Sequence, residues 1–233
     1  MEKTKTCRRG LKRLLAFLLS ALCLLGLLPM SAFAMEPGQT ASSWLGDQYV
    51  GSDGQHYYSP APYTYLVYNS DGTMDVRTSS GGSAYRHYML TVSDGTSHQV
   101  YCVESGIPYN TSDNTYTSES GTNSQYLNLL PAEARRGITL TAIYGWKPGA
   151  SLPVSGINED DYKMATQIIL WEYQQQLRSD PYSRHGNGHA SADQYYSVIA
   201  GRPAEKAYNW ILEQVASHST VPSFTSSSKD GAP

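Results

Sequence analysis

Cysteine is scarce in this chain. There are three, and two of them, Cys7 and Cys23, fall in the first 34 residues, which read as an export leader. Lys3, Lys5, Arg8, Arg9, Lys12 and Arg13 form a basic start, residues 14–28 are an almost continuous apolar run, and Ala32-Phe33-Ala34 offers small residues for cleavage after Ala34. The run is short for a membrane span, and the small-residue site follows it directly, so cleavage is preferred over anchoring. Bulky Leu22 ahead of Cys23 argues against a lipid attachment. One cysteine then remains, Cys102. A single cysteine in an exported chain has no internal disulfide partner. Three roles stay open for it: a buried inert thiol, a bridge to another chain, or a reactive group.

Positive charge is scarce as well. Six of the 17 Lys and Arg residues lie in the leader with one of the 20 Asp and Glu, so residues 35–233 keep 11 basic and 19 acidic groups, a formal charge of −8. That balance excludes nucleic acid and anionic membrane as partners, since both require basic patches. No second apolar run is long enough to span a bilayer. No internal repeat is present, and no cofactor motif. His185-Gly-Asn-Gly-His189 places two imidazoles four apart, but its two glycines make it a loop and no third ligand accompanies it, so no metal is expected.

What is present divides the chain in two. Residues 35–56 are polar and read as an irregular lead-in. Residues 57–130 are mainly β in pattern. Tyr63–Tyr68 is aromatic and β-branched, Asn69-Ser70-Asp71-Gly72 is a turn, and residues 74–77 return. Residues 85–92 and 97–103 form a second hairpin around Ser93-Asp94-Gly95-Thr96. Residues 104–130 are rich in Ser, Thr, Asn and Gly and read as a long surface loop with room for a short strand.

From Pro131 the period becomes helical. One helix runs to Tyr144 before Gly145. The next is capped by Asn158, carries Glu159, Asp160 and Asp161 in its first turn, and is expected to reach Leu177 or Arg178 before Asp180-Pro181. Residues 182–189 are a loop, and residues 192–200 and 204–216 read as two more helices. From Ser217 to Pro233 the composition is that of a Ser/Thr/Pro linker or tail. The fold class is therefore α+β: a β-rich subdomain, sandwich or barrel-like, followed by a helical one, with residues 57–216 as one domain.

Gln167 is the unusual residue of the capped helix. Its same-face neighbours are Met164, Leu170 and Trp171. A buried amide without partners costs about 1–3 kcal/mol. Two readings follow from the residues alone. Gln167 is either hydrogen-bonded to loop backbone, or bonded through its side-chain carbon to the sulfur of Cys102.

Thr166-Gln167-Ile168-Ile169-Leu170-Trp171 resembles the TQ-x-x-x-W helix segment of the bacterial Cys–Gln thioester domain (TQXA-type) family of Gram-positive surface adhesins. Tyr101-Cys102-Val103-Glu104-Ser105-Gly106 resembles the aromatic–Cys segment, often Cys-Ile-Glu-x-Gly, that precedes it there. The order agrees, and the similarity spans roughly residues 57–215. One departure is Ile169, where the family often has alanine two residues after the glutamine.

The resemblance implies a specific chemistry. The Cys102 thiolate attacks the Gln167 side-chain carbonyl, ammonia leaves, and a thioester forms at the junction of the two subdomains. Tyr101, Glu104, Thr166 and Trp171 are its supporting motif residues. A lysine amine of a host or matrix protein then attacks the carbonyl and releases Cys102, which is single-use capture rather than enzymatic turnover. A general base from Tyr, His or Glu is expected near the bond, and Glu104 is closest in sequence. The implied location is the cell surface or cell wall. Two alternatives stay open: a cysteine-nucleophile enzyme of peptidase or transglutaminase type using Cys102 with His189 and Asp193, and a noncovalent binding module with an inert cysteine.

Overall fold

The computed structural model describes residues 37–69, 71–103, 105, 109, 115–119 and 124–219. The leader, Glu104 and residues 220–233 lie outside the described residues.

Among the described residues six strands precede five helices. The strands are β1 Thr40–Gln48, β2 Tyr63–Tyr68, β3 Met74–Ser79, β4 Arg86–Val92, β5 Ser97–Val100 and β6 Thr115–Thr117. The helices are α1 Gln125–Leu129, α2 Ala132–Tyr144, α3 Glu159–Gln174, α4 Ala192–Tyr196 and α5 Pro203–Ser219. The class is α+β, strands first. Among the described residues no helix is long and apolar enough to cross a membrane.

Four strands form one antiparallel sheet in the order β5-β4-β1-β6, and β2 and β3 form a separate hairpin. Among the described residues the larger sheet has β5 and β6 at its edges. The β4–β5 hairpin turns where Gly95 takes a positive φ of 86° and Asp94 accepts a hydrogen bond from the Thr96 N–H at 2.8 Å. β1 corrects the expected irregular lead-in. Its Ser- and Thr-rich sequence hides a strand whose pairing runs from Ala41↔Val92 to Leu45↔Tyr88 and then bulges before Gln48. Its polar residues suit a sheet face left to solvent.

Helix α3 is the centre of the second half. Every residue from Asp161 to Gln174 is buried, with α2 and α5 packed against it. The α2 contact needs Gly137, because a Cβ there would meet the Tyr173 ring at 2.2 Å. The start of α3 is a capping box: Asn158 Oδ1 accepts from the Asp161 N–H at 2.9 Å, and Asp161 Oδ2 accepts from the Asn158 N–H at 2.8 Å. The same turn fastens the helix to residues 50–57. Asp160 accepts from the Val50 N–H, Asp161 accepts from the Ser52 N–H, both at 3.0 Å, and the Tyr57 hydroxyl donates to Asp161.

The helix ends at Gln174, short of the expected Leu177. Gln176 adopts φ +55°, its N–H bonds the Tyr173 carbonyl at 3.1 Å, and the Leu177 N–H bonds the Glu172 carbonyl at 2.8 Å. This is a Schellman ending with glutamine where glycine is usual. Three further expectations are corrected. α1 occupies part of the expected loop, α4 stops at Tyr196 and continues as turns, and α5 runs through residues 217–219 of the expected tail.

Candidate functional site

β5 ends at Val100, and the chain passes over α3 with Tyr101 and Cys102. There Gln167, 1% exposed, meets it. The Cys102 N–H donates to Gln167 Oε1 at 2.9 Å, and Gln167 Nε2 donates to the Cys102 carbonyl at 2.6 Å. The amide is therefore held at both ends by the backbone of one residue. The partly buried thiol belongs to that same residue, one rotatable bond from the backbone that grips the amide carbon.

The motif neighbours set this register. The Tyr101 hydroxyl donates to the Trp146 carbonyl at 2.9 Å. The Trp146 N–H donates to Thr166 Oγ1 at 2.9 Å, and Thr166 Oγ1 donates to the Tyr162 carbonyl at 2.8 Å. The residues flanking the Cys102–Gln167 contact on each side are thus joined through one intermediary, Trp146. The chain passes close against α3 here, since a Cβ on Gly145 would meet Thr166 Cγ2 at 2.3 Å.

On the other side of Cys102, the Tyr126 hydroxyl donates to the Val103 carbonyl at 2.9 Å. Buried Ser105 shares a hydrogen bond of 2.7 Å with the Tyr195 hydroxyl, which also accepts from Gln175 Nε2 at 2.5 Å. Trp171 is 3% exposed, one turn after Gln167, with its ring between those of Tyr85 at 5.4 Å and Tyr195 at 5.7 Å. Its indole N–H is buried without a hydrogen-bond partner among the described residues. Ile169, the departure from the family pattern, is fully buried in the core.

Burial pushes the Tyr63, Tyr88 and Tyr195 phenols above their ordinary range, with the nearby Cys102 adding to the effect. Burial does the same to Tyr101. These phenols are held in their neutral, protonated form.

Of the sequence candidates, Tyr101, Cys102, Thr166 and Gln167 form one connected group, and Trp171 packs beside it through Tyr195. Glu104 lies outside the described residues. His189 and Asp193 belong to the exposed segment around α4, where Asp193 is held by Arg184 at 3.1 Å. Trp146 and Tyr195 were not legible as site residues, because each reaches the site from a remote part of the chain with no motif around it, and Ser105, inside the Cys102 segment, shows its role only through its bond to Tyr195.

The family described as thioester domain matches residues 99–217, just over half of the chain, a stretch that includes Tyr101, Cys102, Thr166, Gln167 and Trp171. No curated protein and no solved structure matches the chain.

Proposed function

The chain belongs to the thioester domain family, and from that premise we propose that Cys102 and Gln167 are its bonding pair and that the domain captures a target amine covalently and once. The observation that carries this reading is the two-ended grip of Cys102 on the Gln167 amide, at 2.9 and 2.6 Å.

The grip suits bond formation. The Cys102 N–H lies at the distance of a useful oxyanion donor, so it receives the negative charge that develops on Oε1 as sulfur attacks the amide carbon. The Cys102 carbonyl orients Nε2 as the leaving group. The C–N bond breaks, nitrogen leaves as ammonia with the thiol proton, and the acyl group stays on sulfur. Holding both partners in one geometry supplies much of what a bimolecular reaction lacks. Trp171, Tyr85 and Tyr195 wall the site with rings, which limits access of water to the acyl carbon.

A target amine then reacts with the thioester. It attacks the same carbon, the C–S bond breaks, and Cys102 recovers a thiol as the amine loses a proton. The product is an amide between Gln167 and the target, which makes this capture and not turnover. A lysine of a host or extracellular-matrix protein is the proposed target, with display on a Gram-positive cell surface after export through the leader. The chemistry is tested by incubating the full chain with methylamine. Methylamide on Gln167 in a peptide map, with one thiol appearing per chain, supports it. An unmodified Gln167 beside a thiol that was reactive from the start removes it.

A further inference from the structure

Helix α3 contains one lysine, Lys163, four residues before Gln167. Residues four apart on a helix face each other across one turn, with Cβ atoms about 6 Å apart. A lysine and a side-chain acyl group at that spacing can close a lactam along the helix. If Gln167 is an acyl donor to amines, its own helix supplies an amine with the advantage of proximity over any target. Lysine is otherwise rare. Beyond residue 36 the chain has four, Lys147, Lys163, Lys206 and Lys229.

The structure shows where Lys163 is kept. Its side chain is 8% exposed, and Nζ lies 3.4 Å from Glu159 Oε2 and 3.4 Å from Asp160 Oδ1. It also sits over the Trp146 ring, 4.4 Å from the centroid. Both carboxylates are on the preceding turn, so the side chain runs toward the helix start, the direction helical side chains favour, and away from Gln167 on the following turn. The cage is itself held in place. Asp160 accepts from the Val50 N–H and pairs with His87 at 3.2 Å, and Trp146 is fixed through Thr166 and Tyr101.

We propose that Lys163 is a latent internal acceptor, and that the cage of Glu159, Asp160 and Trp146 withholds it so that the acyl group survives for an external amine. This rests on the thioester reading above. Released, the neutral Lys163 nitrogen would attack the Gln167 carbonyl carbon. The C–S bond would break with its electron pair going to sulfur, and the nitrogen's proton would pass to sulfur. The result is a Lys163–Gln167 amide and a Cys102 thiol, with no further change in mass.

The test compares three leader-free chains of residues 35–233, in which Cys102 is the one cysteine: the wild type, the double variant Glu159→Gln with Asp160→Asn, and that variant with Lys163→Gln added. Each is read by intact mass, maleimide labelling and a tryptic map. The double variant is expected to stay one ammonia lighter than its sequence, while maleimide labelling rises from background to nearly one per chain. Its methylamine adduct is lost, and trypsin fails to cut after Lys163, which is joined to Gln167. Adding Lys163→Gln restores a silent thiol and the methylamine adduct, which shows that the clamp substitutions left the fold able to make the bond. A double variant that keeps a methylamine-reactive bond overturns the proposal and leaves the thioester reading standing. So does loss of the bond to water in both variants. A wild-type chain at full sequence mass overturns the thioester reading, and this proposal with it.

Discussion

Gln167 bonds main-chain atoms of Cys102, Oε1 to the N–H and Nε2 to the carbonyl, across 65 residues of sequence. Positioning is thus separable from reactivity. Cys102→Ala keeps both hydrogen bonds, whereas Gln167→Ala strands a backbone donor and acceptor. Both variants should lack the bond, and Gln167→Ala should be less stable than Cys102→Ala by about 2–4 kcal/mol. Urea unfolding of the two variants checks this, and equal midpoints and slopes would show that the grip adds nothing.

Closing the bond cross-links a 65-residue loop. The chain-entropy description of such a link gives about 4 kcal/mol of stabilisation. Treatment with methylamine opens the loop without changing the sequence. For a domain of this size the melting temperature should fall by on the order of 10 °C. Calorimetry of treated and untreated protein is the check, with the treated form expected to melt near Cys102→Ala.

Thr166 is fully buried, and its hydroxyl serves Trp146 on one side and Tyr162 on the other. Thr166→Val keeps the shape and leaves the Trp146 N–H without its acceptor. The expected loss is about 1–3 kcal/mol. Because Trp146 also receives Tyr101, the bond should form more slowly after refolding. Following ammonia loss by mass over time separates this from a purely structural effect, which would lower stability and leave the rate unchanged.

Acid should loosen the start of α3. Burial works against the Asp160 carboxylate, but hydrogen bonds from His87 and the Val50 N–H and the charges of His87 and Lys163 outweigh it, so its carboxyl lies below the ordinary value. A lowered folded value stabilises the fold above about pH 4 and loses that contribution as the pH falls through the folded value. Asp160→Asn should therefore melt lower at neutral pH and lose less than the wild type between pH 5 and pH 3. Parallel melting curves across that range would contradict the assignment.

Much of this was legible in the sequence because its signals are local. The Asn158 cap, the acidic first turn and the apolar turn at residues 168–171 mark α3 without tertiary information, and the Tyr63–Tyr68 strand announces itself by composition. Other features depend on partners elsewhere. β1 is polar because one sheet face is left to solvent, so it carries no apolar run. The end of α3 has glutamine in a left-handed position, which no glycine signals. Gln167 itself was readable as an amide that needs partners, and loop backbone was one of its two readings. Its partner being the backbone of Cys102 joins the two readings, and only the fold could supply that. The Lys163 cage depends on Trp146, brought in from the loop before α3.

The most direct measurement is the denatured intact mass of freshly purified protein, taken without any amine and with maleimide present. The account predicts a leader-free chain, residues 35–233, one ammonia lighter than that sequence, that takes up no maleimide. A chain at its full sequence mass carrying one maleimide would contradict it.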